Sequence, residues 1–224
     1  MSLGPEVVFE FEFLDRTFGV TASIVTQWVI MALLMVVILI VSRNITKIPS
    51  KKQTVLEMIV SMFSNLINAN MGPSYKRQFL PYIGALGIYM ACMNLCGLVG
   101  IPPATRDLNV TATFAALTFF LINANAISHL GVGGYVKGYF KPFPFMLPMN
   151  IIEKFTVPLS LCLRLYLNML VGTMILELVY HGLGHFAFLI PVPLHFFFDL
   201  FVGLIQTFVF AMLTMVFVKT ATEH

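Results

Sequence analysis

The sequence predicts an all-α membrane protein with five membrane-crossing helices and one amphipathic surface helix. Three observations carry this. First, 58% of the 224 residues are hydrophobic and 10% are charged, where a soluble domain carries about 25% charged residues; the mean hydropathy is +0.90. Second, the charges leave several uninterrupted apolar stretches. Each is long enough for a bilayer core of about 30 Å, which a helix crosses in about 20 residues. Third, basic residues gather at alternate ends of successive stretches, as the positive-inside rule expects of a multi-pass chain. So few charged side chains cannot keep a globule of this length wet. A soluble enzyme, a disordered tail and a nucleic-acid binder are excluded. The net charge of +3 is too small to argue for a polyanionic partner.

Each element follows from the spacing of its charges. Residues 1–22 form an acidic outer arm with Glu6, Glu10, Glu12, Asp15 and Arg16; a secretory leader would start basic. Residues 23–42 form the first helix, wholly apolar from Trp28 to Val41. Arg43, Lys47, Lys51 and Lys52 follow and assign that flank to the cytoplasm. Residues 50–71 differ. Val55, Met58, Ile59, Met62, Phe63, Leu66 and Ile67 recur at helical spacing with Gln53, Glu57, Ser61, Ser64, Asn65 and Asn68 between them. This is an amphipathic helix on the cytoplasmic membrane surface or against a neighbouring subunit. Gly72 and Pro73 end it.

Residues 78–101 cross outward without a charge, and Pro102, Pro103, Arg106 and Asp107 make an outer turn. Residues 108–130 return, and Lys137 and Lys141 receive the chain on the basic side. Residues 147–180 read as one long helix carrying Glu153, Lys154, Arg164 and Glu177. His181 to Pro193, with two glycines, two prolines and two histidines, reads as an outer turn. Residues 194–220 form the final helix, with Asp199 and Gln206, and Lys219 returns the C-terminus to the cytoplasm. No internal repeat is visible, so an inverted-repeat transporter plan lacks support. Cys92, Cys96 and Cys162 lie in apolar stretches and read as small packing residues, with neither a disulfide framework nor a metal site.

Arg164 carries the chemistry. It is the one charge between Phe155 and Leu176, and an arginine at mid-bilayer costs at least about 2.5–3.5 kcal/mol. A guanidinium cannot shed its proton to escape that cost. A carboxylate or water must compensate it, unless the arginine merely snorkels or pairs helices. Ser160 and Asn168 lie one turn to either side on the same face. Asn168 on its own fits an ordinary interhelical hydrogen bond. A hairpin turn centred near residues 185–186 sets Gln206 opposite Arg164, Asp199 near Thr173 and His195 near Glu177. Glu177, His181, His185, His195 and Asp199 then lie on the outer side of Arg164, and Asn150 and Glu153 on the inner side. Two aqueous half-channels that end at one fixed cation need such groups. Simple interface residence also accounts for each histidine.

Three motifs, in order, resemble subunit a of the F-type rotary ATP synthases. They are Pro158 to Met169 around Arg164, Asp107 to Thr111 opening the third span, and Phe198 to Phe210 in the last helix. The resemblance extends from about Arg43 to His224. It implies that Arg164 faces a ring of c subunits, meets each ring carboxylate in turn, drives off its ion and blocks a direct leak. Asn168 and Gln206 would support it, Asp199 would serve the outer half-channel, and Ser160, Asn150 and Glu153 the inner one. It implies that the last two helices form a long, tilted antiparallel hairpin against the c-ring. The implied partners are the c-ring, the peripheral-stalk b subunits and the lipid bilayer, in a bacterial plasma membrane with the N-terminus outside. No cofactor, metal or bond chemistry is expected on this chain. The coupling ion, proton or sodium, stays open, because the ring carboxylate that selects it is on another chain. Two departures stand out. Thr173 occupies a site where some members carry glutamate or histidine, with an acid instead at Glu177, and Tyr166-Leu167 replaces a common phenylalanine-glycine. Without the motifs, two other readings stand: a transporter using Arg164 to hold an anionic substrate, and a non-conducting packing subunit.

Overall fold

A computed structural model describes residues 7–13, 16–43, 51–138, 145, 147–183 and 191–223. Among the described residues the fold is all-α apart from one hairpin in the N-terminal arm. There, β1 (Val7–Phe13) pairs antiparallel with β2 (Arg16–Thr21), with a register irregularity between Val7 and Phe9. The alternation of phenylalanine and glutamate from Phe9 to Phe13 has the period of a strand.

Helix α1 (Ala22–Ser42) is apolar on all sides, and among its residues Ile30 alone is buried. A helix apolar all round belongs in a core or in lipid; this one touches the rest of the chain along one edge, at α3 and the segment before α4. Helix α2 (Lys51–Asn70) is amphipathic, and its apolar stripe is divided. Phe63 and Ile67 are buried against Phe79, Ile83, Met215 and Val218, while Val55, Met58 and Met62 remain exposed. Gly72 then takes φ 96°, donating its N–H to Ile67, a helix stop that suits glycine.

Helix α3 (Lys76–Leu95) runs into a tight 3-10 turn, Cys96–Val99, closed by Gly100 in the left-handed region. A second 3-10 turn, Ala104–Arg106, leads to α4 (Leu108–Gly138), kinked at Gly131. Asp107 caps α4: its Oδ1 accepts the Asn109 N–H at 3.0 Å. An aspartate in this place satisfies a helix-end donor that has no carbonyl partner, so the start of the Asp107 to Thr111 motif is a helix cap.

Helix α5 (Leu147–Leu183) contains Pro158. The last segment is composite: α6 (Pro191–His195), a π-helical stretch (Phe196–Val202) and α7 (Gly203–Glu223). Among the described residues, five helical segments are long and apolar enough to cross a membrane: Ala22–Ser42, Pro73–Val99, Leu108–Tyr135, Leu147–Gly182 and Pro191–Thr222. Two apolar clusters hold them together. One joins α2, α3, α4 and α7, and the other joins α1, α3, α4, α5 and α7.

Candidate functional site

Helix α5 has two faces. Leu161, Leu165, Met169 and Leu176 are buried in the bundle. Leu159, Leu163, Leu167, Val171, Met174 and Leu178 are exposed. Ser160, Arg164 and Asn168 lie on that exposed face, one turn apart. Packing of the apolar face therefore turns the arginine away from its own chain. Among the described residues no carboxylate or other acceptor pairs with Arg164. In hydrocarbon that is a costly arrangement, so this face is built to meet something polar.

One turn along, Asn168 donates from Nδ2 to Oε1 of Gln206 at 2.9 Å. Gln206 is buried. The bond fastens α5 to α7 beside the arginine and occupies one oxygen that could otherwise compete for the guanidinium. Gln206 thus meets Asn168, one turn from the position opposite Arg164 that even counting gives. A π-helical stretch closes i→i+5 bonds. It fits more residues into each turn, so counting at the α-helical rise fails across Phe196–Val202.

The same stretch turns Asp199 inward. Asp199 is 4% exposed, while Phe196, Phe197 and Phe201 point outward. Its Oδ2 lies 2.6 Å from Nδ1 of His195. Nε2 of His195 lies 3.0 Å from the Tyr180 hydroxyl of α5. With the proton on Nδ1, the ring donates to Asp199 and accepts from Tyr180, a continuous chain from the exposed tyrosine to the buried carboxylate. His195 therefore meets Tyr180 and Asp199, and Glu177 meets Arg106 at 3.5 Å. On the α5 side it is Phe198 that lies against Gly172. His181 is exposed. His185 lies outside the described residues.

On the opposite side of Arg164, an open groove of about 430 Å³ lies between α5 and α7; Met149, Ile152, Val157 and Phe217 make it mostly apolar, and Glu153, Thr156 and Ser160 are its polar lining. Glu153 is exposed and Asn150 half-buried. Lys154 sits 5.8 Å from the ring centre of Tyr135, a cation–π contact. At 1.5 Å per residue Glu153 is about 16 Å along the helix from Arg164 and Glu177 about 20 Å the other way. Polar groups thus flank the arginine from both ends.

Several residues of the site carry little or no mark in the sequence. Asn94, 0% exposed, donates to the Gly203 carbonyl at 3.1 Å and to Thr207 Oγ1 at 3.2 Å, and accepts from Thr105 at 2.9 Å. A single amide inside an apolar span is its available signal, the same one that marks Asn168. Tyr180 offers no such signal.

A family model described as ATP synthase A chain matches residues 24–219. The protein named ATP synthase subunit a, sodium ion specific, of Propionigenium modestum is 34% identical over 96% of this chain and 81% of its own length. ATP synthase subunit a of Moorella thermoacetica is 35% identical over 88% of both chains. ATP synthase subunit a 1 of Chlorobium luteolum is 36% identical over 90% of this chain and 89% of its own.

Proposed function

Because the chain belongs to the ATP synthase A chain family, we propose that it is the ion-translocating stator subunit of an F-type rotary ATP synthase, with the exposed face of α5 turned to a ring of c subunits. It is an integral membrane subunit that moves ions, and the bond chemistry of ATP lies on other subunits. The observation that carries the finer reading is Arg164, outward-facing, without a described partner, and flanked by polar groups at both ends.

The mechanism follows from charge. Burial raises the pKa of a carboxylate, and a cation at close range lowers it again. A ring carboxylate loaded from one half-channel reaches Arg164, gives up its ion to the other, and passes on as an ion pair. The guanidinium stays charged at every accessible pH, so no ion moves through its position from one half-channel to the other. Asn168 and Gln206 hold the helix that presents it. Asp199, with His195, Tyr180, Glu177, His181 and His185, serves the outer half-channel. Glu153, Asn150 and Ser160 serve the inner one. The N-terminus is outside, and the peripheral-stalk b subunits are the other partners.

The test is ATP-driven ion uptake by the reconstituted complex, wild type against Arg164→Ala, with and without sodium at fixed pH. The variant assembles and takes up no ions. Sodium-dependent uptake by the wild type names sodium as the coupling ion, and sodium-independent acidification names the proton. Normal coupled uptake by the variant would falsify the mechanism.

A further inference from the structure

The end of α3 and the start of the last segment press together at two consecutive points, each with a glycine on one side. At Gly203 an added Cβ would lie 3.1 Å from the Cβ of Asn94. At Gly97 it would lie 2.5 Å from Cγ of Asp199 and 2.6 and 2.7 Å from its two carboxyl oxygens. Gly97 is itself buried. Backbone conformation does not call for glycine here: positive φ is found at Gly72, Gly100 and Gly131, and Gly97 is not among them. Any L-residue could adopt the backbone of position 97. What the position excludes is volume, because the space a side chain would fill already holds the Asp199 carboxyl. Its second neighbour, His195, comes from one turn earlier on its own segment.

We infer that Gly97 is the positioning residue for Asp199: the outer pathway has one carboxylate-sized space, bounded by the α3 end and the π-helical stretch, and Gly97 is small so that Asp199 can fill it. This rests on the reading of Asp199 as the outer-pathway acid. It adds that the location of the acid, rather than the segment carrying it, is what the site requires. A side chain at 97 leaves the backbone straight toward the present carboxyl. An acid supplied from position 97 would therefore reach the same space within range of His195, provided position 199 were emptied.

The experiment compares four forms of the reconstituted complex: Gly97→Ala, Asp199→Gly, Gly97→Asp, and the exchange of Gly97→Asp with Asp199→Gly. ATP-driven acidification and sodium uptake are both read, with the ATPase rate of the solubilised complex as the check on assembly. Forcing a methyl into a filled site displaces the carboxyl, and Gly97→Ala loses flux by about tenfold or more. Asp199→Gly and Gly97→Asp lose flux as well, the first for want of an acid and the second because two carboxyls contend for one space. The exchange restores most of the flux, which a purely structural glycine would not allow. An exchange complex that assembles but conducts no better than Asp199→Gly overturns the inference, as does a Gly97→Ala complex with wild-type flux; both leave the outer-pathway reading intact. Wild-type flux in Asp199→Gly overturns the outer-pathway reading itself, and this inference with it.

Discussion

Glu177 and Asp199, the two acids proposed for the outer half-channel, sit in different surroundings. Glu177 is exposed and pairs with the partly exposed Arg106. Such a pair contributes about 0–1 kcal/mol, and water can replace either member. Asp199 is buried and ends the hydrogen-bonded chain through His195 to Tyr180. Its loss breaks the chain. Asp199→Ala is therefore expected to slow flux through the outer half-channel by about tenfold or more, and Glu177→Ala by less than about fivefold. Passive ion flux in vesicles, read for both variants, checks this; equal wild-type rates would move the relay elsewhere. Arg164 and Asp199 are legible in the sequence because a charge in an apolar run is visible in one dimension. Gly97 is not, because its contribution is the absence of a side chain at a point of contact that only folding creates. His195 is visible as a titratable group, but its partner is not. The π-helical stretch Phe196–Val202 shifts the register by which the last segment meets α5.

At the scale of elements, polar residues do the fastening that apolar ones cannot do in lipid. Hydrocarbon side chains gain little by leaving hydrocarbon solvent, so helices in a bilayer associate through close packing and hydrogen bonds. Asn94 joins α3 to α7 and to the turn before α4. Replacing it by leucine removes three hydrogen bonds and strands the buried Thr105 hydroxyl. A loss of about 1–2 kcal/mol is expected, since each interhelical bond contributes modestly and an unpaired buried group costs more. Denaturant titration of the purified chain in detergent measures it, and an unchanged midpoint would show that the network is ornamental. The number and kind of helices are directly legible, because charge-free runs of spanning length seldom occur in chains that stay in water. The N-terminal hairpin is legible only as an acidic arm from its charges, although the Phe-Glu alternation from Phe9 to Phe13 has a strand's period. The division of the α2 stripe is not legible at all, because one helix face does not say which of its edges meets α3 and which meets the outside.

The whole molecule is an incomplete surface. The exposed stripe of α5, oily leucines flanking Ser160, Arg164 and Asn168, is unsuited to lipid alone. It is covered in the assembled complex if it faces the c-ring. A lipid-soluble photoactivatable probe is expected to label cysteines placed at Leu163 or Leu167 in the isolated chain and to miss them in the complex. A cysteine at Leu39, on the exposed side of α1, should be labelled in both. Labelling of the α5 positions in the assembled complex would contradict the proposed orientation.

The isolation of α1 has a consequence of its own. Ile30, Leu34 and a long 3.5 Å hydrogen bond from Tyr89 to the Gln27 carbonyl hold it along one edge. The other spanning helices share more ties: Asn94 and Gln206 bond across them, and Phe63, Ile67, Phe79, Ile83, Ile122 and Met215 pack in a cluster that α1 does not enter. A bilayer that thickens or thins acts on both groups, and a helix meets such mismatch by tilting at a small cost per ångström. Helix α1, held along one edge at α3 and the turn before α4, is expected to take up such mismatch by tilting, which would leave the geometry around Arg164 less dependent on the thickness of the lipid.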